Sequence, residues 1–262
     1  MAFTLFKKPV KKVVKHSKPK PKTVKKAIIH KKVVKRVSKP VRKPVTKSKH
    51  KSAIKLPIIE KLDDNKAYDM VKSAKLPTLK TIFLKTEKDI PSLKAIGFPC
   101  MFKVSSTKIV HKTEVDGIIK VNTPEEADEA FKKLMKIKGA EKVLAQEFKD
   151  GIELIIGAKS DPQFGCVVSV GLGGIYVEVF KDVKFRVCPI AVSDAEAMVK
   201  ELAGYEMLAG ARGKPPINFN SLYDLLVRVG NFALKNGINE MDMNPVFCDD
   251  KGCHIADIRI IE

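Results

Sequence analysis

The chain has 262 residues, 50 of them Lys or Arg against 30 Asp or Glu, for a formal charge of +20. That excess is local: residues 1–55 hold 21 of the basic groups and no acidic one, leaving the remainder at −1. A nearly neutral globular body with a cationic arm is therefore expected, and with no run near the ~18 apolar residues of a membrane span, a helical membrane protein is excluded.

From Phe6 to Lys55 the chain repeats Lys-Lys-Val-Val, Lys-Pro and Ser-Lys units interrupted by Pro9, Pro19, Pro21, Pro40 and Pro44. Such a segment reads as an extended, disordered arm (residues 1–55) suited to nucleic acid or another polyanion through counterion release, without sequence-specific readout. A linker over 56–64 follows, and the globular part spans 65–262. The start lacks a signal peptide's apolar stretch and cleavage site. Five cysteines (Cys100, Cys166, Cys188, Cys248, Cys253) then suit reduced thiols in a cytoplasmic protein better than a disulfide framework.

Apolar positions at helical spacing predict a helix over 65–76, ending before Pro77. A strand at Thr81–Leu84 and a short helix at Ile90–Ile96 come next. Gly97-Phe98-Pro99 is a turn into the apolar strand Cys100–Val104. Thr123-Pro124-Glu125-Glu126 opens an amphipathic helix that Gly139 ends. Strands are expected at Val143–Phe148, Glu153–Ala158, Cys166–Val170 and Tyr176–Phe180, and helices starting at Ser193 and over Ser221–Lys235. The end reads as a meander of Glu240–Met243, Val246–Cys248 and His254–Ile260. Strands and helices alternate without a regular βαβ cadence, so the class is α+β with mainly antiparallel sheets.

Three sets of residues carry chemistry. Lys103 sits inside an apolar strand and points to the face opposite Phe102 and Val104, which suits a point charge for a phosphate or a lysine at a sheet rim. The loop Ser105–Gly117 gathers hydroxyls, lysines and His111, whose ring could accept a phosphoryl group or simply face solvent. In Glu240-Met-Asp242-Met-Asn244-Pro245 the polar residues share one strand face, with Asp257 on the next strand. Oxygens so placed suit Mg²⁺ bound with nucleotide phosphates, or a solvated acidic edge. Gly171-Leu-Gly173-Gly174 lacks the helix of a dinucleotide fingerprint, and Cys248, Cys253 and His254 lack a fourth zinc ligand.

Taken in order, the segments Gly97–Lys103, Ile109–Val115, Val143–Glu147, Gly151–Gly157, Asp161–Gly165, Gly171–Glu178, Ala211–Pro216 and Asp242–Pro245 resemble the β subunit of ADP-forming acetyl-CoA synthetases (acetate–CoA ligases), which are ATP-grasp proteins. The resemblance runs from about Asn65 to Glu262. It implies an ATP-grasp fold of two lobes (about 65–140 and 141–262) closing on ATP or ADP, with Lys103 on the phosphates. It also implies Gln146 and Glu147 at the hinge that meets the adenine, Glu153 lining the same cleft, and Mg²⁺ held by Asp242, Asn244 and Asp257. His111 then matches a transient phosphoryl acceptor, and a CoA-binding α subunit in an α₂β₂ assembly completes an acid–thiol ligase active only with that partner. The implied reaction is acyl-CoA + ADP + phosphate ⇌ acid + CoA + ATP. One departure is Asp116, where the family usually carries glycine. The competing reading is a catalytically reduced ATP-grasp domain whose basic arm binds nucleic acid.

Overall fold

The computed structural model describes residues 61–109, 111–174, 182–213 and 215–261. The basic arm and the strand expected at Tyr176–Phe180 lie outside the described residues. Two antiparallel sheets organise the rest. The first has β1 (Thr81–Leu84), β2 (Cys100–Ser105), β3 (Ile118–Val121) and β4 (Lys142–Glu147) in the order β1-β4-β2-β3. The second has β5 (Ile152–Asp161), β6 (Gly165–Leu172), β7 (Val183–Val187), β8 (Glu240–Cys248) and β10 (Arg259–Ile261) in the order β10-β8-β5-β6-β7, with β9 (Cys253–Ile255) on β8.

Period-two alternation on β2 and β4 divides the first sheet between two cores. Cys100, Phe102 and Val104 of β2, with Val143 and Ala145 of β4, pack under α2 (Ala127–Met135). That helix buries Ala127, Ala130, Phe131 and Leu134, the i, i+3, i+4, i+7 stripe of an amphipathic helix. Glu126 accepts a bond at 2.8 Å from the Asn122 N–H, the glutamate half of the expected capping box made one residue before Thr123. Lys103, Ser105, Leu144 and Gln146 take the other face. Leu144 there joins the core of the second sheet, alongside Ala67, Tyr68 and Val71 of α1 (Asp64–Ser73). Because β4 belongs to the first sheet, that sheet extends past the lobe boundary expected near residue 140.

The second sheet is covered on one face by α3 (Val192–Lys200), α4 (Tyr205–Leu208) and α5 (Phe219–Asn236). Leu222, Leu225, Leu226 and Val229 of α5 pack in one core with Leu154, Ile156, Val168, Met241 and Met243. Asp242 therefore points to the uncovered face, as the alternation requires.

The structure corrects the terminal meander. Glu240–Met243 and Val246–Cys248 form one strand rather than two. The register against β5 shifts between Leu154 and Ile156, which pair with Val246 and Met243, so two residues of β8 oppose one of β5. This bulge falls on Asn244 and Pro245 and lets a proline sit in a central strand, where no ladder donor is then required of it. The strand expected over His254–Ile260 is instead broken into β9 and β10, and Asp257 lies in the irregular step between them. Cys248 and Cys253 face each other across β8 and β9 and form a disulfide, against the expectation of five thiols. Direct cross-strand pairing brings two side chains within bonding reach whatever the count of remaining cysteines. Cys100, Cys166 and Cys188 are free. Strands β3 and β7 were not anticipated: one is four residues long, and the other exposes Phe185 and Val187 on its apolar side.

Candidate active site

Lys103, His111, Glu153, Asp242, Asn244 and Asp257 line one cleft of about 750 Å³. Lys103 comes from the first sheet, His111 from the loop after β2, and the others from the uncovered face and end of the second sheet. Six of the eight residues singled out from the sequence thus meet at one place.

Lys103 is buried, and its Nζ donates to Gln146 Oε1 at 2.9 Å and to the Ala256 carbonyl at 2.8 Å. An ammonium has three N–H bonds, so one remains for the cleft. Burial depresses its pKa to about 8, while Asp257 opposes that shift and Lys112 adds to it. The lysine is poised to gain from an anion placed beside it.

Gln146 sits one layer behind. It is 1% exposed, and its Nε2 donates to Tyr68 Oη at 3.1 Å and Thr81 Oγ1 at 3.0 Å. With Oε1 on Lys103, the amide is committed to orienting the lysine, because its strand position shares the Lys103 face of the sheet. Glu147 lies at the end of β4 and accepts at 2.9 Å from the Lys80 N–H; it does not line the cleft. Glu153 does, beside Gly174. A Cβ on Gly173 would come within 2.9 Å of the Glu153 backbone, so only glycine passes there.

The carboxylates are held differently. Asp257 Oδ1 accepts from Lys112 Nζ at 2.5 Å and from the Ile258 N–H at 3.1 Å. Burial alone would raise its pKa, but Lys112 and Lys103 outweigh that and hold it below the ordinary carboxylate value. Asp242 is pushed above its ordinary value, first by burial and then by Asp257 and Glu240, against Arg259 and His111. A pair of converging carboxylates, one disfavoured as an anion, fits a divalent cation, and Asn244 supplies a neutral oxygen beside them. Among the described residues no trio of His, Cys, Asp or Glu forms a cage by itself.

His111 is exposed at the cleft wall, and Glu114 shares that wall while Asp116 does not. Asp116 has φ 51°, left-handed, where glycine is free and aspartate among the better tolerated residues. Aspartate there keeps the backbone path, and its carboxylate stays out of the cleft lining. Gly117 follows, and a Cβ there would meet Val104 Cγ1 at 2.4 Å and the Lys112 carbonyl at 2.7 Å. The loop is thus pressed against β2.

Sequence reading missed Lys112 and Arg259. Arg259 pairs in register with Asp242 and donates to Glu240 Oε1 at 3.1 Å, adding a cation to the cleft rim. The alternation of β10 would have placed it beside Asp242 had the break before it been foreseen. Lys112 carries no local signal, since its burial depends on α1.

Two sheets closing a cleft over a buried lysine and paired carboxylates define a nucleotide-binding ATP-grasp protein. Residues 59–261 match the ATP-grasp domain family, to which the chain belongs; the match begins beyond the basic arm. The ADP-forming acetate–CoA ligase II of Archaeoglobus fulgidus is 42% identical over 189 residues, 71% of this chain and 28% of that relative. The chain thus spans little more than a quarter of that relative's length. The β subunit of the Pyrococcus furiosus ADP-forming acetate–CoA ligase II is 36% identical over 211 residues, 74% of this chain and 89% of that one. The acetyl-coenzyme A synthetase 1 of Ca. Korarchaeum cryptofilum, solved with coenzyme A, Ca-AMPCP and HgCl+, superposes with a TM-score of 0.72 at 38% identity, covering 77% of this chain and 93% of that chain. In a second structure of that enzyme, with coenzyme A and Mg-AMPPCP, a phosphohistidine segment points towards the nucleotide-binding site (TM-score 0.69, 36% identity, 77% and 92% covered).

Proposed function

We propose that this chain is the nucleotide-binding β subunit of an ADP-forming acyl-CoA synthetase, which with a CoA-binding α subunit, in an α₂β₂ assembly, converts acyl-CoA, ADP and phosphate to acid, CoA and ATP. The observation that carries the reading is the convergence of Lys103, His111, Asp242, Asn244 and Asp257 on one cleft. The relatives' names support the reaction, and the Mg-AMPPCP complex of the Korarchaeum enzyme supports the metal and nucleotide.

Phosphoryl transfer needs in-line positioning and neutralisation of charge on the phosphate oxygens. The free N–H of Lys103 reaches a phosphate oxygen, held at a fixed angle by Gln146 and Ala256. Mg²⁺ held by Asp242, Asn244 and Asp257 would neutralise the remaining oxygens. Glu153 lines the nucleotide side of the cleft, and Gln146 acts from behind it by holding Lys103. His111 takes the phosphoryl group from a phosphohistidine of the α subunit, whose P–N bond breaks as a new one forms to an unprotonated ring nitrogen of His111, and then gives it to ADP. The P–N bond breaks, a P–O bond forms to the terminal oxygen of ADP, and the ring nitrogen recovers its electron pair. Calorimetry with Mg-ADP on the isolated chain, followed by acetyl-CoA-dependent ATP formation after adding the partner, tests the proposal. Absence of nucleotide affinity in magnesium refutes it.

A further inference from the structure

The loop that carries His111 is tied down at both ends by buried charge that the reaction itself does not require. Lys61 Nζ donates to the Ser106 carbonyl at 3.0 Å and to the Ile109 carbonyl at 3.3 Å, holding the first part of the loop. Lys112, directly after His111, is 6% exposed and reaches inward to Asp257 Oδ1 at 2.5 Å. Both lysines converge on Asp64, the first residue of α1, which is 1% exposed. Lys61 Nζ lies 2.9 Å from its Oδ1, in an ion pair whose geometry is not that of a hydrogen bond, and Lys112 Nζ lies 3.9 Å from its Oδ2. Ser105 Oγ, at the end of β2, donates to the same Oδ2 at 2.7 Å.

The hub is itself rigidly placed. Asp63 caps α1 by accepting from the Asn65 N–H at 2.9 Å and pairs with Lys142 of β4 at 2.7 Å. Asp64 therefore belongs to a helix start fastened to the first sheet, and its carboxylate lies where the helix dipole favours negative charge. A buried carboxylate is costly unless paired, and here the pairing is spent on two lysines that touch opposite ends of one loop. Apolar packing holds the loop only at its margins, through Ile109 in the first-sheet core and Gly117 against Val104, while residues 113–116 are all exposed.

We infer that Asp64, Lys61 and Lys112 form a positioning device that holds the His111 loop against the cleft, with Lys112 the strut between the loop and Asp257. This rests on His111 as the phosphoryl acceptor for its catalytic meaning, but not for the anchoring itself. Loss of the anchor at Asp64, which does not line the cleft, lets the imidazole drift from the phosphate. A displacement of about 1 Å suffices to cost on the order of 100-fold in transfer rate.

The test uses the full chain carrying Lys112→Met or Asp64→Asn. Hydrogen exchange in the absence of metal and nucleotide is read over residues 107–117 and over β2. Both variants accelerate exchange in the loop by about tenfold or more while β2 keeps its protection. In complex with the CoA-binding subunit, Asp64→Asn makes phosphate on His111 form about 10- to 100-fold more slowly at saturating nucleotide, with the nucleotide KM within about twofold of the parent, whereas Lys112→Met also unpairs Asp257 and raises that KM. Lys112→Arg restores part of the loss. If Lys112→Met does not fold, Asp64→Asn, which keeps the side-chain shape, gives the reading. Parental exchange in the loop of folded variants overturns the inference, as does a loss of protection spread evenly over the whole chain. Faster loop exchange in a chain whose His111 never takes phosphate would leave the anchoring intact and refute only the relay.

Discussion

Lys103→Met separates what this lysine does for the nucleotide from what it does to the fold. The substitution keeps the length of the aliphatic stem and removes the ammonium and its one N–H free for the cleft. A hydrogen bond to a charged group contributes about 1.5–3 kcal/mol, so Mg-ADP affinity should fall about 10- to 150-fold. The folded pKa of about 8 lies below the free value of 10.5. Between those two values the folded chain binds fewer protons than the unfolded one, so stability rises with pH through that window. Below it the buried ammonium costs about 3 kcal/mol. Methionine removes that cost but strands Gln146 Oε1, at about 1–3 kcal/mol. The Ala256 carbonyl keeps the Tyr68 hydroxyl at 2.9 Å. These effects nearly cancel, and folding stability near neutral pH should move by no more than about 2 kcal/mol. Calorimetry with Mg-ADP at neutral pH and near pH 9.5 reads both arms. The parent should lose about 7- to 25-fold in affinity over that range as the ammonium deprotonates, whereas the methionine variant should lack this component. Equal affinity in parent and variant, or a flat parental profile, refutes the assignment of Lys103 to phosphate.

Three other substitutions probe the remaining parts. His111→Ala should abolish acid-labile phosphate on the chain and ATP formation in the assembled enzyme while leaving Mg-ADP affinity within about threefold, as expected of a group used only in transfer. Asp242→Asn should remove the magnesium dependence of nucleotide binding. It should also raise, not lower, the thermal midpoint of the nucleotide-free chain at neutral pH, because burial and the neighbouring carboxylates hold the Asp242 pKa above its ordinary value and penalise its anion in the folded state. Cys248→Ser opens a disulfide between residues only five apart in sequence. For so short a loop the loss should be about 2 kcal/mol by denaturant unfolding, with the same loss produced in the parent by a strong reductant.

The residue order already carries the local parts of this molecule. Alternation alone puts Lys103 on the face opposite Phe102 and Val104, and Asp242 opposite Met241 and Met243, because a strand's period of two holds wherever the strand sits. Helical spacing likewise reveals α1, α2 and α5, whose buried stripes recur every three to four residues. Cleft membership of His111, Glu153, Asp242, Asn244 and Asp257 was legible through ordered motifs, each weak alone. Long-range contacts were not. The bulge that carries Asn244 and Pro245 through β8 exists only against β5, and the break that frees Asp257 only where β9 and β10 pair in turn with β8. Gln146 reads like any polar strand residue until Lys103, Tyr68 and Thr81 surround it. Lys112 and Asp64 are 48 residues apart, and nothing near either in the chain announces that they meet. Charges separated in sequence acquire a partner only when packing removes the water between them, and that is a property of the assembled sheets rather than of any segment.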